Sequence, residues 1–167
     1  MSTPIARSRT RFGPTVCLSM IALLATAASL TEAGQSPIDI PGRARGAERV
    51  VVATVARVEP IAVRNEFGDV LIVSRTTWVI EEVLKGPASP TLTLDIEGGS
   101  LGGLTLHVSD LPSVSAGERA VVFVSRSRAG PNVPHLRGAG ILKLDDSNVV
   151  IGTDLALDTI RAEIGRL

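Results

Sequence analysis

The sequence has no tyrosine, a single cysteine and very few aromatic rings. Its cysteine, Cys17, lies in an N-terminal stretch that reads as a signal peptide. Removal of that stretch excludes disulfides, thiol chemistry and cysteine-based metal sites. Phe67, Trp78 and Phe123 are the aromatic residues beyond it. Proteins that bind single-stranded nucleic acid stack bases on several aromatic platforms, and these few rings argue against that class. Runs of like charge are missing too: residues 34–167 hold 14 Lys+Arg against 16 Asp+Glu, never with more than two charges of one sign adjacent. Without a concentrated basic face, neither nucleic acid nor an anionic membrane surface is an expected partner.

Long apolar runs are limited to one. Arg7, Arg9 and Arg11 precede residues 16–30, an uncharged and mostly apolar run of 15 residues. A membrane-crossing helix needs about 20, whereas this length suits the apolar segment of a signal peptide. Ala25-Thr26-Ala27 or Thr31-Glu32-Ala33 supplies the small residues a signal peptidase requires. Residues 1–33 are therefore expected to be removed on export, to the periplasm or beyond the cell. The alternative is an uncleaved anchor, the one case in which a membrane is a partner. No Arg-Arg pair supports twin-arginine export, and Cys17 lies too early, without a leucine three residues before it, for a lipoprotein site.

The remaining 134 residues suffice for one modest core. Residues 34–48, rich in Gly, Pro and Arg, read as a flexible leader. Residues 50–58 then form a β-branched run apolar on both faces, as in a central strand. Residues 59–69, with Pro60, Asn65 and Gly68, read as a connection. Residues 70–84 read as a long strand carrying Ile72, Trp78 and Ile80 on one side. Its next apolar residue, Val83, comes three positions later, which predicts a bulge at Glu81-Glu82. Residues 91–96 alternate cleanly, with Leu92, Leu94 and Ile96 inward, and the same alternation would pack Trp78 with them and with Phe123. Further strands are expected at 104–108, 120–124, 141–144 and 149–151, the last two joined by an Asp145-Asp146-Ser147-Asn148 turn. Leu157, Ile160, Ile164 and Leu167 recur at helical spacing over 153–167, with Asp154 or Asp158 placed to cap. The expected fold is mainly β: a small antiparallel barrel or sandwich over 49–152, OB-like, with one C-terminal amphipathic helix.

Glu81-Glu82-Val83-Leu84-Lys85-Gly86, the Gly98-Gly99 pair, and Gly117-Glu118-Arg119 leading into Val121-Val122-Phe123-Val124 together resemble a widespread group of bacterial exported domains. That group, itself largely uncharacterised, has an OB-type barrel of the netrin or tissue-inhibitor kind. The resemblance covers residues 49–152 and implies a fold more than an activity. Tissue inhibitors of metalloproteinases bind their target's zinc through an N-terminal cysteine. No cysteine follows Cys17, so that chemistry does not carry over.

Gly98-Gly99-Ser100-Leu101-Gly102 matches the G-x-S-x-G nucleophile elbow letter for letter. An elbow must turn from strand into helix, and here Gly103 and another strand-like segment follow instead. A glycine-rich β-connection accounts for the residues better. His107 and His135 are the only histidines; with Asp110, Asp145 and Asp146 they match no known zinc spacing. Glu81 and Glu82 are adjacent on a strand and face opposite ways, which prevents them from flanking one bond. Lys85-Gly86 ends the strand, and Glu118 orders a turn. No catalytic residue, cofactor or metal ligand set is expected.

The expected function is a non-catalytic interaction module, its partner another exported or cell-surface protein. Gly98, Gly99, Ser100, Gly102 and Gly103 form the candidate binding loop. Two other readings stay open: an extracellular serine hydrolase using Ser100 with His107 or His135, and an envelope structural protein held by an uncleaved N-terminal helix.

Overall fold

The computed structural model describes residues 38–65, 67–126 and 131–167. The expected signal peptide, residues 1–33, lies outside them. The first described element corrects the reading of 34–48 as a flexible leader. Within it, Ile40–Gly46 forms a helix, α1. Its sequence, IPGRARG, has poor helical propensity, so its ends and its packing must hold it. Asp39 caps the start by accepting from the Gly42 amide at 2.8 Å. Ile40 and Ala44 are fully buried. At the other end Lys85 Nζ donates to Ala44 O at 2.6 Å and Ala47 O at 2.7 Å.

The strands are β1 Arg49–Arg64, β2 Val70–Lys85, β3 Thr91–Glu97, β4 Gly99–Leu101, β5 Leu104–Leu106, β6 Arg119–Arg126, β7 Asn132–Pro134 and β8 Ile141–Leu144. A second helix, α2, spans Leu157–Ile164. Six strands pair in the order β1-β2-β3-β7-β6-β8, and β1 also pairs with β6. All of these pairings are antiparallel except one. The parallel pair β3–β7, seen at Leu94 and Asn132, makes the sheet mixed and corrects the all-antiparallel expectation. Two helices, not one, accompany it. β4 and β5 form a separate two-stranded sheet.

β1 runs through residues expected to be a connection. Its opening segment, Val50 to Thr54, pairs with both β2 and β6, and Arg49 with β6. Beyond Thr54 it is an edge that pairs with β2 alone among the described residues. β2 pairs onward with β3 as far as Val73, and past that point β1 and β2 run on as a short two-stranded arm, Ala62 to Arg64 with Val70 to Ile72. Pro60, opposite Ser74, is tolerated because β1 is an edge strand there and its open side does not need the missing N–H. The bulge expected at Glu81-Glu82 is present: Val52 pairs with Glu82 and Ala53 with Ile80, so Glu81 is the extra residue.

Because β1 and β6 are apolar on both faces, they divide two cores. Val51, Ala53, Val55, Ala120, Val122 and Val124 point toward Trp78, Leu92, Leu94 and Ile96. Val50, Val52, Val121 and Phe123 point the other way, toward α1 and α2 through Ile40, Ala44, Leu157 and Ile160. Trp78 is fully buried with Leu92 and Leu94 as expected, but Phe123 belongs to the opposite core. Ile72 is only half-buried, further out along the arm. α2 begins at Leu157 without a side-chain cap; Asp158 lies in its first turn and pairs with Arg161, while Leu167 is exposed.

Candidate functional site

The glycine-rich segment is a β-hairpin laid against the β1–β2 arm. Gly98 N donates to Ile72 O at 2.9 Å, and Ser74 Oγ donates to Gly98 O at 2.8 Å. Gly99 has φ +133°, and a Cβ there would lie 2.7 Å from Ser74 Oγ and in contact with Ile72 and Pro60. Only glycine allows so close an approach. The turn is Gly102-Gly103, with φ of +60° and +81°. Positive φ at both central residues suits a two-residue hairpin whose twist matches its strands.

Ser100 and Thr105 face each other across this hairpin, their hydroxyls 2.8 Å apart. The Ser100 hydroxyl therefore has a threonine, not a histidine, as its partner. Beyond Ser100 the chain enters β5 and not a helix, so the surroundings of a nucleophile elbow do not follow it. His107 is exposed and lines the same cleft as Ser100. His135 sits elsewhere, between β7 and the turn after it, with Nδ1 2.8 Å from Ser125 Oγ. That Ser125–His135 contact has no local signal in the sequence, since it joins residues ten positions apart.

Beside the hairpin lies a cleft of about 260 Å³. Val58, Ile96, Val108, Leu111 and Val114 provide its apolar walls, and Ser100, Ser113 and His107 its polar points. Large apolar residues stand exposed at two hairpin tips: Leu101 and Leu104 on β4–β5, Phe67 and Val70 on the arm. Phe67 is 83% exposed and Leu104 71%. Such residues singly mean nothing, but a group on hairpins that touch is a feature of binding surfaces.

A wider cleft of about 470 Å³ is lined by Thr54, Glu118, Arg119, Lys143, Asp145 and Asn148, among others. Three of its charges are already engaged, Arg119 by Glu81 beyond the lining and Lys143 and Glu118 by each other. Glu81 accepts from Thr54 Oγ1 and Arg119 Nε, both at 2.6 Å; Arg119 also reaches Asn148; Lys143 pairs with Glu118. Burial opposes ionisation of Glu81, yet the bonds from Thr54 and Arg119 outweigh it and hold the carboxyl below its usual range. Asp145 Oδ1 accepts from the amides of Ser147 and Val149, ordering the expected turn. Glu82 faces away and binds Arg161 on α2. The Glu81-Glu82 pair thus ties β2 to β6 and α2 in opposite directions, and Lys85 ties it to α1.

A third polar group joins β3 to the loop after β5 and to the turn after β7. Arg137 reaches Asp110 Oδ2 at 2.5 Å and Glu97 Oε2 at 3.1 Å. The hydrogen bond from Arg137 holds the Asp110 carboxyl below its usual range. Among the described residues, no group of three or more His, Cys, Asp or Glu side chains is placed to hold a metal ion. Among the same residues, no helix is long and apolar enough to cross a membrane. No family model and no curated protein matches the sequence.

Proposed function

We propose that this chain is an exported, non-catalytic interaction module built on an OB-type barrel, and that it receives another exported or cell-surface protein at the β4–β5 hairpin. The barrel reading is supported by the pairings β1–β2–β3–β7–β6, which return to β1, and by their single parallel step. An OB barrel is a five-stranded Greek-key ring that carries ligands on its second and third strands and on the loop between the first two. That loop is the tip bearing Phe67. The netrin and tissue-inhibitor resemblance of residues 49–152 points the same way.

The observation that carries the functional reading is the exposure of Leu101, Leu104, Phe67 and Val70 on two touching hairpins beside an apolar cleft. Exposed apolar groups of this kind are commonly covered by a partner. The glycines are the backbone device that seats the hairpin, and Ser100 is part of the hairpin's cross-strand bonding.

The test is a double variant, Leu101→Asp with Leu104→Asp. Both residues are at the surface, so the melting temperature should stay within a few degrees of the parent. Partner association should be lost. Unchanged association would remove this hairpin from the interface.

A further inference from the structure

We propose that His135 is an acid-sensitive clasp: neutral, its imidazole seats α1 against the sheet, and protonated, it loosens that helix and bares the apolar face beneath. The inference is independent of the proposed partner site.

The clasp is built from three elements. β6 supplies Ser125, whose Oγ lies 2.8 Å from His135 Nδ1. α1 supplies Gly46, its last residue; a Cβ there would come within 2.5 Å of His135 Nε2, so helix and ring are in direct contact. β2 supplies Lys85, whose ammonium binds Ala44 O and Ala47 O at the same helix end. The backbone of His135 has little freedom to retreat. Its amide donates to Phe123 O at 2.8 Å, and Gly140 packs so closely on its carbonyl that a Cβ would lie 2.1 Å away.

A helix C-terminus ordinarily welcomes a cation. Here Lys85 already holds the terminal carbonyls, so a second positive charge meets repulsion in place of an open acceptor. The charged groups on the surrounding elements include Lys85 on β2, Arg43 and Arg45 on α1 with its capping Asp39, Arg126 on β6 and Glu48 before β1. Arg43 is turned to Ala139 O, Glu48 accepts from the Arg126 amide, and among the described residues no carboxylate pairs with the imidazole. Burial first, and the Lys85 charge second, accordingly push the His135 imidazole below its usual range. With a folded value below the unfolded one, the unfolded or opened state takes the proton first as pH falls. The contribution to docking is complete above the ordinary histidine value of about 6.5 and is lost below it.

α1 is the element free to respond. Seven residues of poor propensity make no stable helix alone, since isolated helices shorter than about 12–15 residues are marginal. Its release would bare Ile40 and Ala44 together with Val50, Val52 and Phe123 under them.

Hydrogen exchange of the amides of residues 42–47 in the full chain tests this at pH 7.5 and pH 5.0, after correction for intrinsic rates. α1 should open more at the lower pH, by up to about tenfold for each unit by which the folded pKa is depressed. In His135→Gln the opening should be the same at both values. A pH-independent α1 in the parent, or an identical acid response in the variant, would overturn the proposal. Should His135→Gln fail to fold, proton NMR titration of the imidazole in the parent decides. A midpoint below about 6.5 that tracks α1 opening supports the clasp, and a midpoint at or above it overturns the clasp.

Discussion

Trp78 Nε1 donates to Thr76 Oγ1 at 2.7 Å, two residues back on the same face of β2, and that hydroxyl donates onward to Leu94 O at 3.0 Å. Both side chains are fully buried, so the hydroxyl lets an indole N–H enter an apolar core with its donor satisfied. Thr76→Val keeps the shape but strands that donor. It should cost about 1–3 kcal/mol in a denaturant titration. Trp78→Ala should cost more, about 3–5 kcal/mol, through the cavity it leaves. The parent's only tryptophan should emit to the blue of free tryptophan and shift red on unfolding. Emission already at the free wavelength in the native protein would show that the register of β2 is wrong.

Lys85 and Glu82 are neighbours in the same motif with unequal expected weights. Lys85→Met keeps the aliphatic stem yet leaves the end of α1 without its cation. A loss of about 1–3 kcal/mol is expected, together with faster exchange in α1. The Glu82 and Arg161 side chains each keep over a third of their surface in water, so Glu82→Gln should cost less than about 1 kcal/mol. Chemical denaturation of the two variants side by side checks the ranking, and a larger loss for Glu82→Gln would invert it.

At the glycine hairpin, backbone should matter and hydroxyl should not. Gly99→Val forces a side chain into φ +133° and against Ser74, which should cost about 1–3 kcal/mol or more. Ser100→Ala removes one exposed hydroxyl contact and should stay within about 1 kcal/mol of the parent. An active-site serine probe should leave Ser100 unlabelled. Labelling that disappears in His107→Ala would restore the hydrolase reading.

Much of the sheet was legible because β-branched runs and alternation mark strands directly. The bulge at Glu81 followed from a three-residue step in β2, and the packing of Trp78 on Leu92 and Leu94 from simple parity. Phe123 was misassigned because β6 is apolar on both faces, so alternation carries no information about which core a residue joins. α1 was hidden by its own residues. Proline and two glycines read as loop, and the contacts that make it a helix come from Lys85 and Ala139, far along the chain. β7 was missed because three residues ending in Pro134 offer no pattern. At the site, the glycines announced a turn, but the Ser125–His135 contact arises only once β6 and β7 pair.

Export is tested by intact mass and N-terminal sequencing of protein recovered outside the cytoplasm. The chain should begin near Gly34 and contain no thiol. Recovery of Met1 or Cys17 in the mature protein would mean that the N-terminal segment is retained as an anchor.

The most direct measurement of the interaction reading is site-specific photo-crosslinking in the producing cell. A photoreactive amino acid replaces Leu104 at the hairpin tip or, in a control, Asp146 beside the polar cleft. The account predicts one discrete protein adduct at Leu104, absent at Asp146 and absent when Leu101→Asp is added. Adducts of equal yield at both positions, or none at Leu104, would contradict it.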